Sequence, residues 1–303
     1  MSINRDLKNK LLWCFAFIFA ALSVPWWAEG AILYLLPQSQ TVYQDDTFMV
    51  EVKLDTEGEE INAVQASLLL PLDLLDFVDF SKGDSILNLW AKDPAVSDNT
   101  LYFLGGVPGG FKGEGRIGRV ILKGKKEGEG SINFEEDSQV LLNDGMGTPA
   151  KLNTGGAIFR VLAEKQEVPE DEWQKLLEKD KIPPDPFEIK IGKEATVFEG
   201  KYFIAFSTID KQTGLDHYEV KETRKRRETE RETTLNWKKA ESPYLLEDQS
   251  LKSIIKVKAV DKAGNERIAE YLPAKKPFPY WIIVLILVGI GVIWVILKRI
   301  RKR

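Results

Sequence analysis

The sequence predicts an all-β protein: two β-sandwich domains in series, followed by a transmembrane α-helix near the C-terminus. Three observations predict it. From Ala31 to Val161 short apolar alternations recur between Gly, Pro and Asp clusters, and no stretch holds a helical period for long. A second set of such alternations fills Phe187 to Pro273. Then Tyr280–Leu297 runs 18 residues without a charge, which is ~27 Å as a helix and close to the hydrocarbon thickness of a bilayer.

Taken in order, residues 1–30 read as a signal peptide. Arg5, Lys8 and Lys10 precede the 14-residue apolar run Leu11–Val24, and Pro25-Trp26-Trp27-Ala28-Glu29-Gly30 follows it. That is the order of a basic region, an apolar region and a small-residue cleavage site. Cleavage is expected between Gly30 and Ala31. The run is shorter than the ~20 residues a spanning helix needs. Cys14 is the single cysteine, which excludes a disulfide framework and any Cys-rich zinc site.

Residues 31–161 form the first sandwich. Phe48–Leu54, Ala63–Leu70, Thr100–Leu104, Arg119–Lys123, Ser131–Phe134 and Ala157–Val161 are its clearest strands, and eight or nine strands at this spacing imply a sandwich or jelly roll. The alternating strand that ends at Pro71-Leu72, then Leu74-Leu75-Asp76-Phe77-Val78-Asp79-Phe80-Ser81-Lys82-Gly83, resembles the early part of a cohesin module. Gly115–Gly124 is similar to a later cohesin strand, and Leu142–Thr148 with Ala157–Val161 to the close of the module. The resemblance implies a nine-stranded jelly roll and non-catalytic binding of a dockerin-like or other surface or secreted protein. Where that family has Tyr-Asp-Pro this chain has Leu70-Pro71-Leu72, so no contact residues are carried over.

Residues 162–186 are a charged, proline-bounded linker. Within it Pro169-Glu170-Asp171-Glu172 has the proline and acids of a helix first turn, and Trp173, Leu176 and Leu177 share a face, so a short helix is expected. Residues 187–273 form the second domain. Asp210-Lys211-Gln212-Thr213-Gly214-Leu215-Asp216-His217-Tyr218-Glu219-Val220 and Ile255–Glu266 resemble the bacterial Ig-like and fibronectin type III-like surface repeats. That resemblance implies a spacer that holds a binding domain off a surface.

After the apolar run 280–297 come Lys298, Arg299, Arg301, Lys302 and Arg303, the membrane-stop residues that mark residues 298–303 as a basic cytoplasmic tail. The expected localisation is the cell membrane, single-pass, with the N-terminal ectodomain outside.

Charge narrows the partners. Residues 31–274 hold 32 basic and 44 acidic side chains, which argues against nucleic acid, whose phosphates need Lys/Arg density. The one histidine, His217, excludes multi-His metal sites and is read as structural. Gly113-Glu114-Gly115-Arg116-Ile117-Gly118 matches a dinucleotide fingerprint in letters, yet a loop precedes it and a strand follows, so it is read as a loop feeding a strand. No cofactor is expected. The acid clusters Asp45-Asp46, Glu135-Glu136-Asp137 and Asn143-Asp144 could coordinate Ca²⁺ but lack ligand spacing, and read as solvated turns. The segment Arg224–Glu232 is either a solvated hairpin or a basic patch for anionic glycans or headgroups.

No enzyme activity is expected. The alternative to protein recognition is polysaccharide binding by the same first domain, with Trp90, Tyr102 and Phe111 as an aromatic platform.

Overall fold

The alternation of apolar and polar residues is realised as 19 strands, with short helical segments at Glu172–Lys179, Phe198–Gly200 and 287–294, in a computed structural model, which describes residues 30–163, 169–224, 237–273, 287–294 and 298. Two compact units are present. Unit 1 is Met1–Pro186 with Thr208–His217 and Ala259–Arg267; unit 2 is Phe187–Ser207, Tyr218–Lys258 and Ile268–Arg303.

The strands up to the helix are β1 (Ala31–Leu36), β2 (Ser39–Tyr43), β3 (Thr47–Asp55), β4 (Ile61–Leu69), β5 (Leu75–Ser81), β6 (Leu89–Ser97), β7 (Thr100–Phe111), β8 (Glu114–Gly124), β9 (Gly128–Phe134), β10 (Gln139–Leu142), β11 (Leu152–Gly155) and β12 (Ala157–Leu162). They make two sheets. One has the order β11-β1-β3-β8-β5; the other has the order β2-β12-β9-β4-β7-β6, with β10 added beside β4. Pairing is antiparallel except at two places: β1 lies parallel to β11 and β2 parallel to β12.

Period-two patterning builds the core. In β3, Phe48, Val50, Val52 and Leu54 are buried while Met49, Glu51 and Lys53 between them are not. Phe103 and Leu101 of β7 face Ala66 and Leu68 of β4 in register, and all four are fully buried. Phe48 packs on Phe159 with ring centroids 5.4 Å apart, and Phe80 on Phe103 at 5.6 Å. Each such side chain removed from water contributes about 1.5–3 kcal/mol. Glycines set the close approaches. A Cβ on Gly118 would lie 2.3 Å from Phe80 Cζ, so the last glycine of the fingerprint-like stretch makes room for a core ring.

The helix α1 (Glu172–Lys179) carries Asp171 as its N-cap, whose carboxylate accepts the Gln174 amide at 2.8 Å. It packs against β3 and buries Trp173. Its position follows from the ladder. β1 pairs only with Glu51–Asp55 of β3, which leaves the amides of Thr47 and Met49 without a strand on that side. The Glu170 carbonyl accepts the Thr47 amide at 2.7 Å and the Glu172 carboxylate accepts that of Met49 at 3.1 Å.

After the helix come β13 (Lys190–Gly192), β14 (Phe203–Ala205), β15 (Leu215–Arg224), β16 (Lys238–Ala240), β17 (Tyr244–Leu245), β18 (Ser253–Asp261) and β19 (Glu266–Tyr271). They form a three-stranded sheet, β13-β14-β17, and a four-stranded sheet, β16-β15-β18-β19. The core of unit 2 is Ile204, Phe206, Val220, Leu246, Ile255 and Val257, with Phe206 edge-on to Tyr218 at 4.9 Å.

Residues 1–29 of the expected signal peptide, residues 225–232 of the charged segment and most of the expected span lie outside the described residues. So do Arg299, Arg301, Lys302 and Arg303. Residues 287–294 are helical, and Lys298 sits 4.7 Å above the Trp294 ring. Among the described residues no helix is long and apolar enough to cross a membrane.

Candidate functional site

Two features of unit 1 stand out chemically: one sheet face and one buried cluster of carboxylates.

The outer face of the β11-β1-β3-β8-β5 sheet is laced with ion pairs. Glu51 meets Arg116 at 2.9 Å and Arg119 at 3.4 Å, and Glu114 meets Lys53 at 2.6 Å. Glu114 also accepts the Tyr34 hydroxyl at 2.7 Å. Burial, then that hydrogen bond to a carboxylate, pushes the Tyr34 phenol up to about 12. Covering segments reach this face as well. The Gln212 carbonyl accepts from the Arg119 guanidinium at 3.1 Å, and Lys262 pairs with Asp79 at 2.6 Å.

The outer face of the other sheet is different in kind. Register places Leu69, Ser67, Gln65 and Ala63 of β4 beside Thr100, Tyr102, Leu104 and Gly106 of β7. Leu89 and Ala95 of β6 continue the row on one side, and Leu141 of β10 on the other. Leu89 is 59% exposed, Ile158 54% and Leu69 45%. Small polar side chains fill the intervals, and two acids stand at one end. Glu135 accepts the Thr100 hydroxyl at 3.1 Å and Asp137 accepts that of Ser67 at 2.8 Å. An apolar face with small polar spacers and an acidic end is suited to docking a macromolecule without covalent chemistry.

The aromatic residues singled out by sequence do not share that face. Trp90 lies opposite Gly105 and points inward, 6.0 Å from Phe80 and 5.9 Å from Phe103. Phe111, at the end of β7, also packs against the core. Only Tyr102 points outward, half-buried between Ser67 and Ala95. Of the expected cleavage-site residues, Gly30 and Ala31 are both buried, and Ala31 opens β1 opposite Leu152.

The acid clusters read from the sequence serve turns. Asp46 accepts the amides of Tyr43 and Glu170, Asp45 pairs with Lys123 at 2.7 Å, and Asp144 accepts the Met146 amide at 2.8 Å. His217 lies against Asp216 at 2.6 Å, half-exposed.

Sequence reasoning missed a third group. Asp180, Asp210 and Asp261 are all buried, and one carboxylate oxygen from each lies within 4.8 Å of the others. Asp180 is the C-cap of α1; Asp210 and Asp261 belong to glycine-containing turns. Each is held by local donors. Asp210 accepts the amides of Gln212 at 3.0 Å and Gly214 at 2.8 Å, and Asp261 accepts the amide of Asn265 at 2.8 Å. Burial, and then the charges of Asp180 and Asp261, hold the Asp210 carboxyl above the usual carboxylate range. An oxygen-only donor set of this kind could hold a hard cation such as Ca²⁺, and its burial closes it to a polymer substrate. The signal was the pair of turns Asp-x-x-x-Gly at Asp210–Gly214 and Asp-x-x-Gly-Asn at Asp261–Asn265, in which the acids are not adjacent in the chain.

With this geometry in view, comparison with solved structures finds neighbours for unit 1. The similarity is to cohesins. A non-cellulosomal cohesin from Archaeoglobus fulgidus is 18% identical, covering 46% of this chain and 94% of its own, with a TM-score of 0.39. A type I cohesin in a cohesin–dockerin complex from Clostridium thermocellum is 13% identical, covering 44% and 100%, at 0.38. The cohesin module of a family 33 glycoside hydrolase from Clostridium perfringens is 12% identical, covering 45% and 97%, at 0.37. No family model and no curated protein matches the chain.

Proposed function

We propose that this chain is a membrane-anchored, surface-displayed binding protein whose unit 1 recognises another protein without catalysis. The outer face of the β9-β4-β7-β6 strands carries the reading: Leu69, Leu89 and Leu104 remain there among small polar neighbours, whereas ion pairs and covering segments occupy the opposite sheet. The resemblance of residues 31–161 to cohesin modules makes a dockerin-like module, or another surface or secreted protein, the partner class. Residues 280–297 would be the single span and 298–303 the cytoplasmic tail, with cleavage after Gly30. The 187–273 segment would act as spacer.

The test is capture by immobilised full ectodomain, residues 31–273, of proteins secreted or displayed by the source organism. A Leu69→Asp/Leu89→Asp double variant and a glycan array run alongside. A protein retained by the wild type and lost from the variant supports the reading. Glycan binding with no captured protein overturns it, and no separate observation favours that outcome, since Trp90 and Phe111 turn inward.

A further inference from the structure

Three carboxylates of unit 1 share one buried spot with no cation to balance them. Asp180, Asp210 and Asp261 all belong to that unit, and none is more than 4% exposed. Among the described residues no lysine, arginine or histidine pairs with any of the three. The lysines beside them in the chain turn elsewhere: Lys181 is exposed, Lys211 pairs with Asp185 at 3.1 Å and Lys262 with Asp79 at 2.6 Å. Burying one carboxylate without a counter-charge is costly, and burying three together adds their mutual repulsion.

Hydrogen bonds satisfy only part of the set. In Asp180 both oxygens are used: the Ile182 amide donates to Oδ1, and Thr213 donates twice to Oδ2. Asp210 differs. The amides of Gln212 and Gly214 both donate to its Oδ2, and among the described residues no group donates to Oδ1. An acceptor oxygen of a buried side chain, beside two other carboxylates, is thus left without a donor. Such an atom calls for a missing partner, and among three anions the partner that fits is a cation. The spacing suits one. Oxygens bound to a single Ca²⁺ at ~2.3–2.6 Å lie up to ~5 Å apart, and one oxygen from each aspartate lies within 4.8 Å of the other two. Asn265 offers a further oxygen. Its amide nitrogen is 2.9 Å from Asp261 Oδ2 and 3.5 Å from Asp180 Oδ1, and turning the carboxamide over puts its oxygen there instead. Oxygen ligands in an irregular set favour Ca²⁺ over Mg²⁺, which demands a near-ideal octahedron and sheds water reluctantly.

We propose that Asp180, Asp210 and Asp261 bind one Ca²⁺ ion, and that this ion latches two turns of unit 1, 208–217 and 259–267, onto the first sandwich. The three ligands come from three separate stretches of chain: the end of α1 and the two turns. The turns reach the outer face of the β11-β1-β3-β8-β5 sheet through Gln212, whose carbonyl accepts from Arg119, and through Lys262, which pairs with Asp79. Without the ion, these contacts work against the repulsion of three anions. With it, the free energy of binding adds to the stability of the closed arrangement. The site stands apart from the proposed docking face, and its test needs no partner.

The experiment uses the full chain in nonionic detergent, stripped with EDTA and moved to metal-free buffer at neutral pH. Calcium chloride is titrated in, with binding read by calorimetry and unfolding by tryptophan fluorescence. A single bound ion is expected, with the unfolding midpoint raised by about 5 °C or more at a Ca²⁺ concentration roughly a hundredfold above the dissociation constant. Backbone hydrogen exchange should slow at the same time in peptides covering 208–217 and 259–267. Asp210→Asn keeps an acceptor for the Gln212 and Gly214 amides, so it should fold and lose at least about tenfold in Ca²⁺ affinity. Asp144→Asn, in an exposed turn, should bind as the wild type does. No bound ion, or a midpoint shift reproduced by NaCl of equal ionic strength, overturns the site. Full affinity in Asp210→Asn overturns these ligands, and bound Ca²⁺ without slowed exchange in the two turns overturns the latch. An equal response to Mg²⁺ overturns the choice of ion.

Discussion

Thr213 donates both its amide, at 3.2 Å, and its hydroxyl, at 2.7 Å, to one carboxylate oxygen of Asp180, 33 residues earlier and at the end of helix α1. All the groups involved are buried. Thr213→Val keeps the shape, removes the hydroxyl bond and leaves part of a buried carboxylate unsatisfied. A loss of about 1–3 kcal/mol is expected. Urea melts of the ectodomain check it, and an unchanged midpoint would show that the bond contributes nothing.

Asp210 faces Asp180 and Asp261 with its carboxyl held above its ordinary value. A folded-state pKa raised over the unfolded one gives stability that is present below the unfolded carboxyl value and lost as pH rises through the folded one. In a chelating buffer, therefore, this contribution fades on moving from acid to neutral pH. Asp210→Asn, whose amide oxygen can still accept from Gln212 and Gly214, should flatten that slope and be at least as stable as wild type at neutral pH. Calorimetric melts across the window decide; a slope retained in the variant refutes the assignment.

Three glycines should rank by what a Cβ would meet. At Gly145, φ is +72° with open space around it, and Gly145→Ala should cost about 1 kcal/mol from backbone strain alone. At Gly118 the obstacle is the Phe80 ring, which can shift, and about 1–3 kcal/mol is expected. At Gly214, φ is +87° and the new atom would sit 2.6 Å from the Gly83 backbone nitrogen, so both penalties apply and the loss should be the largest. Denaturant midpoints for the three alanine variants test the order.

The docking face should separate stability from binding. Leu69→Asp and Leu89→Asp, at exposed positions, should each change stability by no more than about 0.5 kcal/mol while weakening partner capture by roughly 30-fold. Phe103→Ala, one strand position inward from Tyr102, should cost about 3–5 kcal/mol instead. Paired melting and capture measurements on the three variants check it. A face variant that binds normally would move the recognition surface elsewhere.

Much of the architecture was legible because a strand advertises its two faces. Phe48–Leu54 and Thr100–Leu104 alternate cleanly, and both are strands in the expected all-β arrangement. Alternation states only that two faces differ, not which one is covered. Trp90 was therefore a plausible surface aromatic until the register set it opposite Gly105 with its ring against Phe80 and Phe103. The carboxylate cluster was harder still. Asp180, Asp210 and Asp261 are 30 and 51 residues apart in the chain; the glycine-containing turns of Asp210 and Asp261 are visible locally, but nothing local announces that they meet each other and Asp180 after tertiary folding.

The two parallel pairings, β1 with β11 and β2 with β12, join the first two strands of the sandwich to its last two. Parallel neighbours put the start of one strand and the finish of the other at opposite extremities. Tension applied between residues 31 and 162 is therefore directed along these strands and loads their hydrogen bonds in shear, several at a time, instead of peeling them apart singly. The first sandwich is thus built as a mechanical clamp, able to transmit a pull along its own chain before it yields.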